Sequence, residues 1–300
     1  MTELNSPRSS EPLSQSTSVW QTELQAILRG AAGGFLFGIP LLYTVEVWMI
    51  GSAASSPFLL GVLGVTFVVV LLLTQVEGFR RTLTLHPLEA FLESIEALAI
   101  GLTCAAISLV LLRRITLETP LSETLGKLIF EGVPFSLGVT LARTTLTQTR
   151  QRLRRRLTST RFTAPTLFNL RDTLIDLDAT LIGALLIAFS IAPTEEIPIL
   201  ASALPPLWLL LIMAASLLLS YMIVFVSGFT DRSERQQRGL LLSPLTETLV
   251  AYLVALLASA LMLAFFQQLS PADPWSEWLG DIVVLGLPAA IGGAAGRILI

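Results

Sequence analysis

Three glutamates in one apolar stretch have the spacing that places their carboxylates along one side of a helix. Glu89, Glu93 and Glu96 lie at positions i, i+4 and i+7, which form one stripe at about 100° per residue. Like charges this close repel one another, which would suit a site that takes up a proton or a cation. The stripe therefore predicts proton relay or cation binding. In the alternative interpretation, the first two lie among lipid headgroups near Arg80 and Arg81.

Two further glutamates extend this hypothesis. Glu247 lies 154 residues after Glu93. Glu131 lies near the middle of another apolar stretch, where Pro134 predicts a kink that exposes carbonyl oxygens. If acids from two parts of the chain approach one another, their oxygens form a natural cation site. The candidate residues of an ion or proton path are Glu89, Glu93, Glu96, Glu131 and Glu247.

Lys127, the only lysine, has an acid four residues to either side, Glu123 and Glu131. An intrahelical ion pair that lowers the cost of inserting the helix into a bilayer explains this lysine. Asp281 lies 154 residues after Lys127. Opposite charges at these two positions suggest a pair between two parts of the chain.

The sequence lacks the residues that other catalytic or metal sites require. The chain has one cysteine, Cys104, and one histidine, His86. Neither a disulfide nor a centre built from several cysteines or histidines can therefore form within it. Nothing resembles a Ser-His-Asp arrangement or a phosphate-binding loop. We expect no enzyme activity, no cofactor and no metal site.

The composition indicates which elements position these acids. Of the 300 residues, 53% are hydrophobic and 14% are charged, and the mean hydropathy is +0.74, whereas soluble domains have about 25% charged residues. The apolar residues form runs of about twenty, the length of a helix that crosses a bilayer. These values predict an all-α, polytopic transmembrane helix bundle. About eight spans are expected, at 28–50, 57–76, 88–112, 121–142, 174–194, 205–228, 244–267 and 277–299.

The stretches outside the spans divide the chain. Residues 1–27 are rich in serine and proline and are predicted to be a disordered cytoplasmic tail. An arginine-rich cytoplasmic linker at 146–172 separates a first four-helix unit, 28–145, from a second, 173–300.

The arginines set the predicted orientation, since short loops rich in lysine and arginine stay on the cytoplasmic side. The connections after spans two, four and six carry most of them, and those after spans one, five and seven carry none. Only Arg113 and Arg114, after span three, break this pattern. Both termini are therefore expected to be cytoplasmic. At the far end of span one, Tyr43 and Trp48 are predicted to be interface aromatics.

The chain also contains an internal repeat. Nine residues of one stretch recur at identical spacing 154 residues later, which is hard to attribute to chance. Two four-helix units begin on the same side of the membrane, because four is even, so their symmetry axis runs along the membrane normal. Such parallel repeats suggest a central cavity or groove between them. The pairs are Pro120/Pro274, Ser122/Ser276, Glu123/Glu277, Leu125/Leu279, Gly126/Gly280, Gly132/Gly286, Pro134/Pro288, Gly138/Gly292 and Arg143/Arg297.

The linker between the units carries a cluster of positive charge. Its arginines are predicted to contact anionic lipid headgroups, at about 1 kcal/mol for each basic residue near the surface. Nucleic-acid binding would use the same charge, but for a cytoplasmic loop of a membrane protein lipid contact is the better explanation. The predicted lipid contacts are Arg152, Arg154, Arg155 and Arg156.

Two stretches carry a resemblance to a known family. Residues 34–48, GFLFGIPLLYTVEVW, and residues 131–139, EGVPFSLGV, resemble an uncharacterised family of bacterial, largely cyanobacterial, integral membrane proteins. The resemblance covers nearly the whole chain after the polar tail. It implies a multi-pass protein of a bacterial inner membrane, and it lends no catalytic residues.

Together these patterns predict a transporter or channel for protons or a small cation, with a carboxylate-lined path between the two repeats. The alternative is a non-transporting scaffold or accessory subunit, whose acids form structural pairs and whose arginine-rich linker binds lipid or a partner. The two hypotheses differ in whether the carboxylates face an open cavity or separate partners.

Overall fold

The structure is a computed structural model that describes residues 12–81, 87–157, 167–226, 244–270 and 272–299. Every regular element in these ranges is a helix. In chain order they are α1 (Pro12–Leu42), α2 (Val45–Ala53), α3 (Ser56–Arg81), α4 (Pro87–Leu111), α5 (Leu121–Leu157), α6 (Leu167–Ile191), α7 (Glu196–Ser202), α8 (Pro206–Tyr221) with a π-helical continuation (Met222–Val226), α9 (Pro244–Phe265) and α10 (Trp275–Leu299).

The predicted all-α, polytopic membrane protein is confirmed. Within the described residues, eight helices are long and apolar enough to cross a bilayer. Several of them begin at a proline, such as Pro87, Pro206 and Pro244, because the first turn of a helix does not need the missing N–H. Pro134 and Pro288 lie inside α5 and α10 without ending them, as the sequence predicts.

Some boundaries differ from the prediction. The first span, predicted as one run over 28–50, consists of two helices, because α1 ends at Leu42 and α2 begins at Val45. Helix α1 begins at Pro12, so the boundary placed at residue 27 lies inside a helix, while residues 1–11 lie outside the described residues. Helix α5 continues to Leu157, so the predicted linker at 146–172 begins in helical structure.

The helices form two halves, α1–α5 and α6–α10. In the first half α5 packs against α1, α2, α3 and α4, and in the second half α10 packs against α6, α7, α8 and α9. Helix α1 joins the halves through contacts with α10 and the π-helical segment. One apolar core runs through both halves, and it includes Phe35, Phe135, Ile212 and Leu285.

The first helix of each half crosses the last helix at glycines. A Cβ atom added at Gly33 would overlap the carbonyl group of Gly138, and one added at Gly183 would overlap the carbonyl group of Gly292. Glycine at these four positions lets the two backbones touch. The pairs are separated by 150 residues on the first helix and by 154 on the last.

The turns after α4 and α9 also match. Two residues after the end of each helix the chain has a positive φ, 53° at Arg113 and 58° at Gln267, the left-handed conformation of a helix C-terminal cap. The next N–H group bonds back into the helix in both turns. These bonds are Arg114 N–H to Leu109 O at 2.8 Å and Gln268 N–H to Leu263 O at 2.9 Å.

The same correspondence continues into the following loops. The Thr116 N–H donates to the Thr119 side chain at 3.0 Å, and the Ser270 N–H donates to the Asp273 carboxylate at 3.0 Å. The residues that form these bonds in the second half lie 154 positions after those in the first half.

The two ends of the bundle carry different groups. The arginine end carries Arg143 and Arg297, and the short-loop end carries the connections 112–120 and 266–274.

Candidate functional site

Glu131 lies in the middle of the fourth span and is fully buried, with 0% of its surface exposed. The span runs from Leu121 to Arg143. At 1.5 Å per residue, about 15–18 Å of helix separates Glu131 from either end. The carboxyl group is therefore near the midplane of the bundle.

The break between α1 and α2 lies at the same depth. Gly38, before the break, packs against the Phe135 ring, and Gly51, after it, packs against Gly126. The chain between these glycines therefore follows α5 past Glu131. The break, which we define as Tyr43 and Thr44, falls midway along this stretch.

The break is stabilised by an indole group. Thr44 is extended, with φ −102° and ψ 102°, and the Trp48 N–H donates to the carbonyl oxygen of Leu42, the last residue of α1, at 2.8 Å. Trp48 belongs to the first turn of α2, and its indole lies beside the Glu131 carboxyl group. The acid is thus near the N-terminal end of α2, where the helix dipole is positive.

No cationic side chain pairs with Glu131 among the residues that the structure describes. Neither of its carboxyl oxygens has a hydrogen-bond partner among the described residues. Lys127, one turn away, is bonded instead to Glu123 at 2.6 Å and to the carbonyl oxygen of Arg114 at 3.0 Å. This is the intrahelical pair expected for Lys127. A buried carboxyl group without a cation costs least when it carries a proton.

Two arginines cover the short-loop end of this region. The Arg114 guanidinium lies 5.0 Å from the centre of the Trp48 ring, and Arg113 lies 5.6 Å from that of Trp208. The Trp208 N–H donates to the Leu111 carbonyl at 2.6 Å. Burial lowers the pKa of the Arg114 guanidinium. These cation–π contacts give the two arginines that break the charge pattern a structural role.

The aromatic residues of the break correct one prediction. Tyr43 and Trp48 were expected at the membrane interface, but only 3% and 4% of their surfaces are exposed, because both lie inside the bundle. The Tyr43 hydroxyl donates to the Val284 carbonyl oxygen in the second half at 2.7 Å. Pro288, four residues after Val284, has no N–H that could donate to that carbonyl oxygen within the helix, so the Tyr43 hydroxyl donates to it instead.

The three acids of the stripe on α4 lie on the outside of the bundle. Glu89, Glu93 and Glu96 are all exposed, and α4 packs mainly against α5, α3 and α1 of its own half. Glu96 forms an ion pair with Arg143 at 2.7 Å. The stripe therefore does not line a passage between the halves.

Glu247 has an equivalent partner in the second half, Arg297, whose side chain is only 1% exposed. The Arg297 guanidinium also lies 5.6 Å from the centre of the Phe225 ring. The structure thus assigns Glu96 and Glu247 to separate arginines and does not join them in one site. Sequence reasoning missed these pairs, although the identity of Arg143 and Arg297 within the repeat was a signal for them.

The predicted lipid-binding arginines lie on the last turns of α5. Their backbone belongs to the helix, but their side chains lie outside what the structure describes. Lipid contact at this segment stays a prediction. The residues are Arg152, Arg154, Arg155 and Arg156.

Comparison with known proteins gives one match. A family model described as "Putative integral membrane protein (DUF2391)" matches residues 26–300. The chain therefore belongs to this family of integral membrane proteins. No curated protein and no solved structure matches the chain.

Proposed function

We propose that this member of the family is a proton-linked membrane transporter in which the carboxyl group of Glu131 binds and releases the proton. The observation that carries the proposal is the complete burial of this group at mid-span, beside the break in the first span. A charge at that depth costs at least about 2.5–3.5 kcal/mol on insertion scales, and such residues usually serve function.

The broken first span supports the proposal. Transporters with discontinuous helices bind substrates and ions near the midplane, where the ends of half-helices present unpaired backbone groups. The pair α1 and α2 has this form, and α6 and α7 have the same form in the second half. Glu131 lies beside the first of these breaks.

A proton suits this site better than a metal cation. Glu131 offers one carboxyl group, and its neighbour Trp48 presents an indole, whose N–H is donated to Leu42, in place of an oxygen ligand. Calcium and similar cations need six or more oxygen ligands, whereas a proton needs one acceptor.

In the conformation described, the stack of Arg114 on Trp48 covers the short-loop end and the Glu96–Arg143 pair joins α4 to α5 at the arginine end. Transport would move the Arg114–Trp48 stack aside to open the short-loop end.

The test is proton flux in liposomes. Purified protein is reconstituted, a membrane potential is imposed with potassium and valinomycin, and the internal pH is followed with a dye. We expect the wild type to carry protons and Glu131→Gln to fall to the level of empty liposomes. Glu89→Gln, which removes an exposed carboxylate of α4, is the matched control and should keep the wild-type rate.

The same assay tests the path first predicted between the halves. If Glu93→Gln combined with Glu247→Gln abolishes flux while Glu131→Gln preserves it, the proton follows the surface acids and the present proposal is wrong. Sodium and potassium fluxes measured in parallel identify a cation path. The proposal is also wrong if the Glu131→Gln variant carries protons at the wild-type rate.

The second candidate function is a non-transporting scaffold or accessory subunit. The observation that favours it is the pairing of Glu96 and Glu247 with arginines of their own halves, around one continuous apolar core. A scaffold predicts no flux for any variant. It also predicts that Arg152, Arg154, Arg155 and Arg156, when changed together to glutamine, weaken binding to vesicles that contain anionic lipid.

We further propose that the halves are parallel repeats and that the arginine end faces the cytoplasm of a bacterial cell. The matched glycine contacts and loop hydrogen bonds at offsets of 150 and 154 support the repeat. The arginine-rich connections support the orientation. Both termini would then be cytoplasmic.

A further inference from the structure

The short-loop end of the second half carries an acidic ladder, which we define as Asp273, Glu277 and Asp281 of the loop and α10. Glu277 and Asp281 are four residues apart on one side of α10, and Asp273 lies four residues earlier in the loop. Asp281 is only 9% exposed, and within the described part of the chain it has neither a hydrogen-bond nor an ion-pair partner. A carboxylate buried in this way is costly unless a cation or a proton accompanies it.

The first half shows what is missing. Lys127 occupies the position that matches Asp281, and its ammonium group bonds the Glu123 carboxylate at 2.6 Å and the Arg114 carbonyl oxygen at 3.0 Å. The protein thus supplies its own monovalent cation at this place in the first half.

The second half has residues that match Glu123 and Arg114, but it has no residue that matches the Lys127 ammonium group. Glu277 matches Glu123, and Gln268 matches Arg114. The backbone at Gln268 repeats that of Arg114, since both N–H groups bond back to the helix five residues earlier. From this correspondence we expect the Gln268 carbonyl oxygen and the exposed Glu277 carboxylate to take the places of Arg114 and Glu123, and Asp281 adds a second carboxylate.

The basic side chains that the structure describes do not neutralise this charge. Arg113 and Arg114 are each held over an indole ring, and Arg297 is paired with Glu247 at the other end of the molecule. Glu196 of α7, which packs against α10, adds one more acid, with one oxygen buried and without a hydrogen-bond partner among the described residues.

We propose that the second half binds a small monovalent cation, an alkali or ammonium ion, between Glu277, Asp281 and the carbonyl oxygen of Gln268. It would fill the place that the Lys127 ammonium fills in the first half. Oxygen ligands of this kind suit hard cations. A single charge is expected, because the Lys127 ammonium, whose place the cation would take, carries one charge. The site is distinct from Glu131 and does not depend on transport.

The test is the melting temperature of the full-length protein in detergent at constant ionic strength. Lithium, sodium, potassium or ammonium chloride is titrated against the chloride of N-methylglucamine, a cation too large for the site. We expect the wild-type melting temperature to rise by a few degrees and saturate with at least one small cation. Asp281→Asn should lose this dependence. Asp281→Lys should melt near the cation-saturated wild-type temperature and not respond to cations.

Matched controls separate this site from others. Glu123→Gln removes the equivalent carboxylate of the first half, and it should keep the cation response. Glu131→Gln should keep it too, so a failure of the transport proposal leaves this one standing. A wild-type melting temperature that is the same in all salts would overturn the inference. So would a full, saturable response in Asp281→Asn or Asp281→Lys, both checked for a monodisperse profile.

Discussion

Some backbone carbonyl groups inside this bundle lack a hydrogen-bond donor within their own helix, and a side chain donates to them instead. Val284 loses its helical donor because Pro288 has no N–H, and the Tyr43 hydroxyl of the other half replaces it at 2.7 Å. The carbonyl oxygen of Leu42, at the end of α1, accepts a hydrogen bond from the Trp48 indole N–H at 2.8 Å. Glu131 is the contrasting case, since both of its oxygens are buried without such a partner among the described residues.

Tyr43→Phe tests the bond between the halves. Removing the hydroxyl leaves the Val284 carbonyl buried and unpaired, which should lower the free energy of unfolding by about 1–2 kcal/mol. In a Pro288→Ala background the new N–H fills the carbonyl, so the same change should cost less than about 0.5 kcal/mol. Equilibrium unfolding in detergent of the four proteins measures the difference. Tyr221→Phe, on a half-buried tyrosine of the second half, is the control. Equal costs of Tyr43→Phe in both backgrounds would refute the role given to Tyr43.

The sequence shows which residues are acidic, but it does not show which way a helix turns them. An acid inside an apolar run is visible in the sequence, so Glu131 was identified. Whether a helix turns that acid inwards or outwards depends on its neighbours. The stripe of Glu89, Glu93 and Glu96 has the spacing of one face, but α4 directs Ala90, Ser94 and Ala97 towards the bundle, and the acids face away from it.

At the scale of elements, close contact between the first and last helices of each half holds the broken spans in place. Gly33 and Gly138 touch in the first half, as Gly183 and Gly292 do in the second. Such contacts let α1 and α5 run side by side up to the break at Tyr43. The position of Glu131 beside that break depends on this approach.

Gly33→Ala should therefore destabilise the protein. The added methyl group overlaps the Gly138 carbonyl and the Ala142 side chain, and overpacking of this kind costs about 1–3 kcal/mol. Gly61→Ala on α3 is the matched control, because a Cβ atom there meets nothing within 4 Å. Its effect should stay within about 0.5 kcal/mol. Thermal unfolding in detergent compares the two variants, and equal losses of stability would argue against the close approach.

The number and type of elements followed from the apolar runs, whereas the break in the first span did not. The hydrophobic stretch continues from Leu41 through Ile50, and no glycine or proline stands at Tyr43 or Thr44. Pro40 lies one turn earlier inside α1. The break is stabilised by the local Trp48 bond to Leu42 and by the long-range Tyr43 bond to Val284, and the hydrophobic pattern reveals neither of them.

At the scale of the whole molecule, the two halves share their contacts but not their charges. Lys127 and Asp281 occupy matched positions, and Glu131 is matched by Leu285. The matched spacing in the sequence suggests a common framework for the two halves. It does not indicate how their charges differ, with Glu131 buried beside a break in the first half and the acidic ladder in the second.

The central claim is that Glu131 carries a proton that solvent can reach when the molecule changes conformation. Infrared spectroscopy of the reconstituted protein tests it directly, through the C=O stretching band of a protonated carboxylic acid. Our account predicts a band that shifts on transfer to D₂O and that is missing from Glu131→Gln. Identical spectra for the two proteins in this region, or a Glu131 band that never shifts in D₂O, would contradict it.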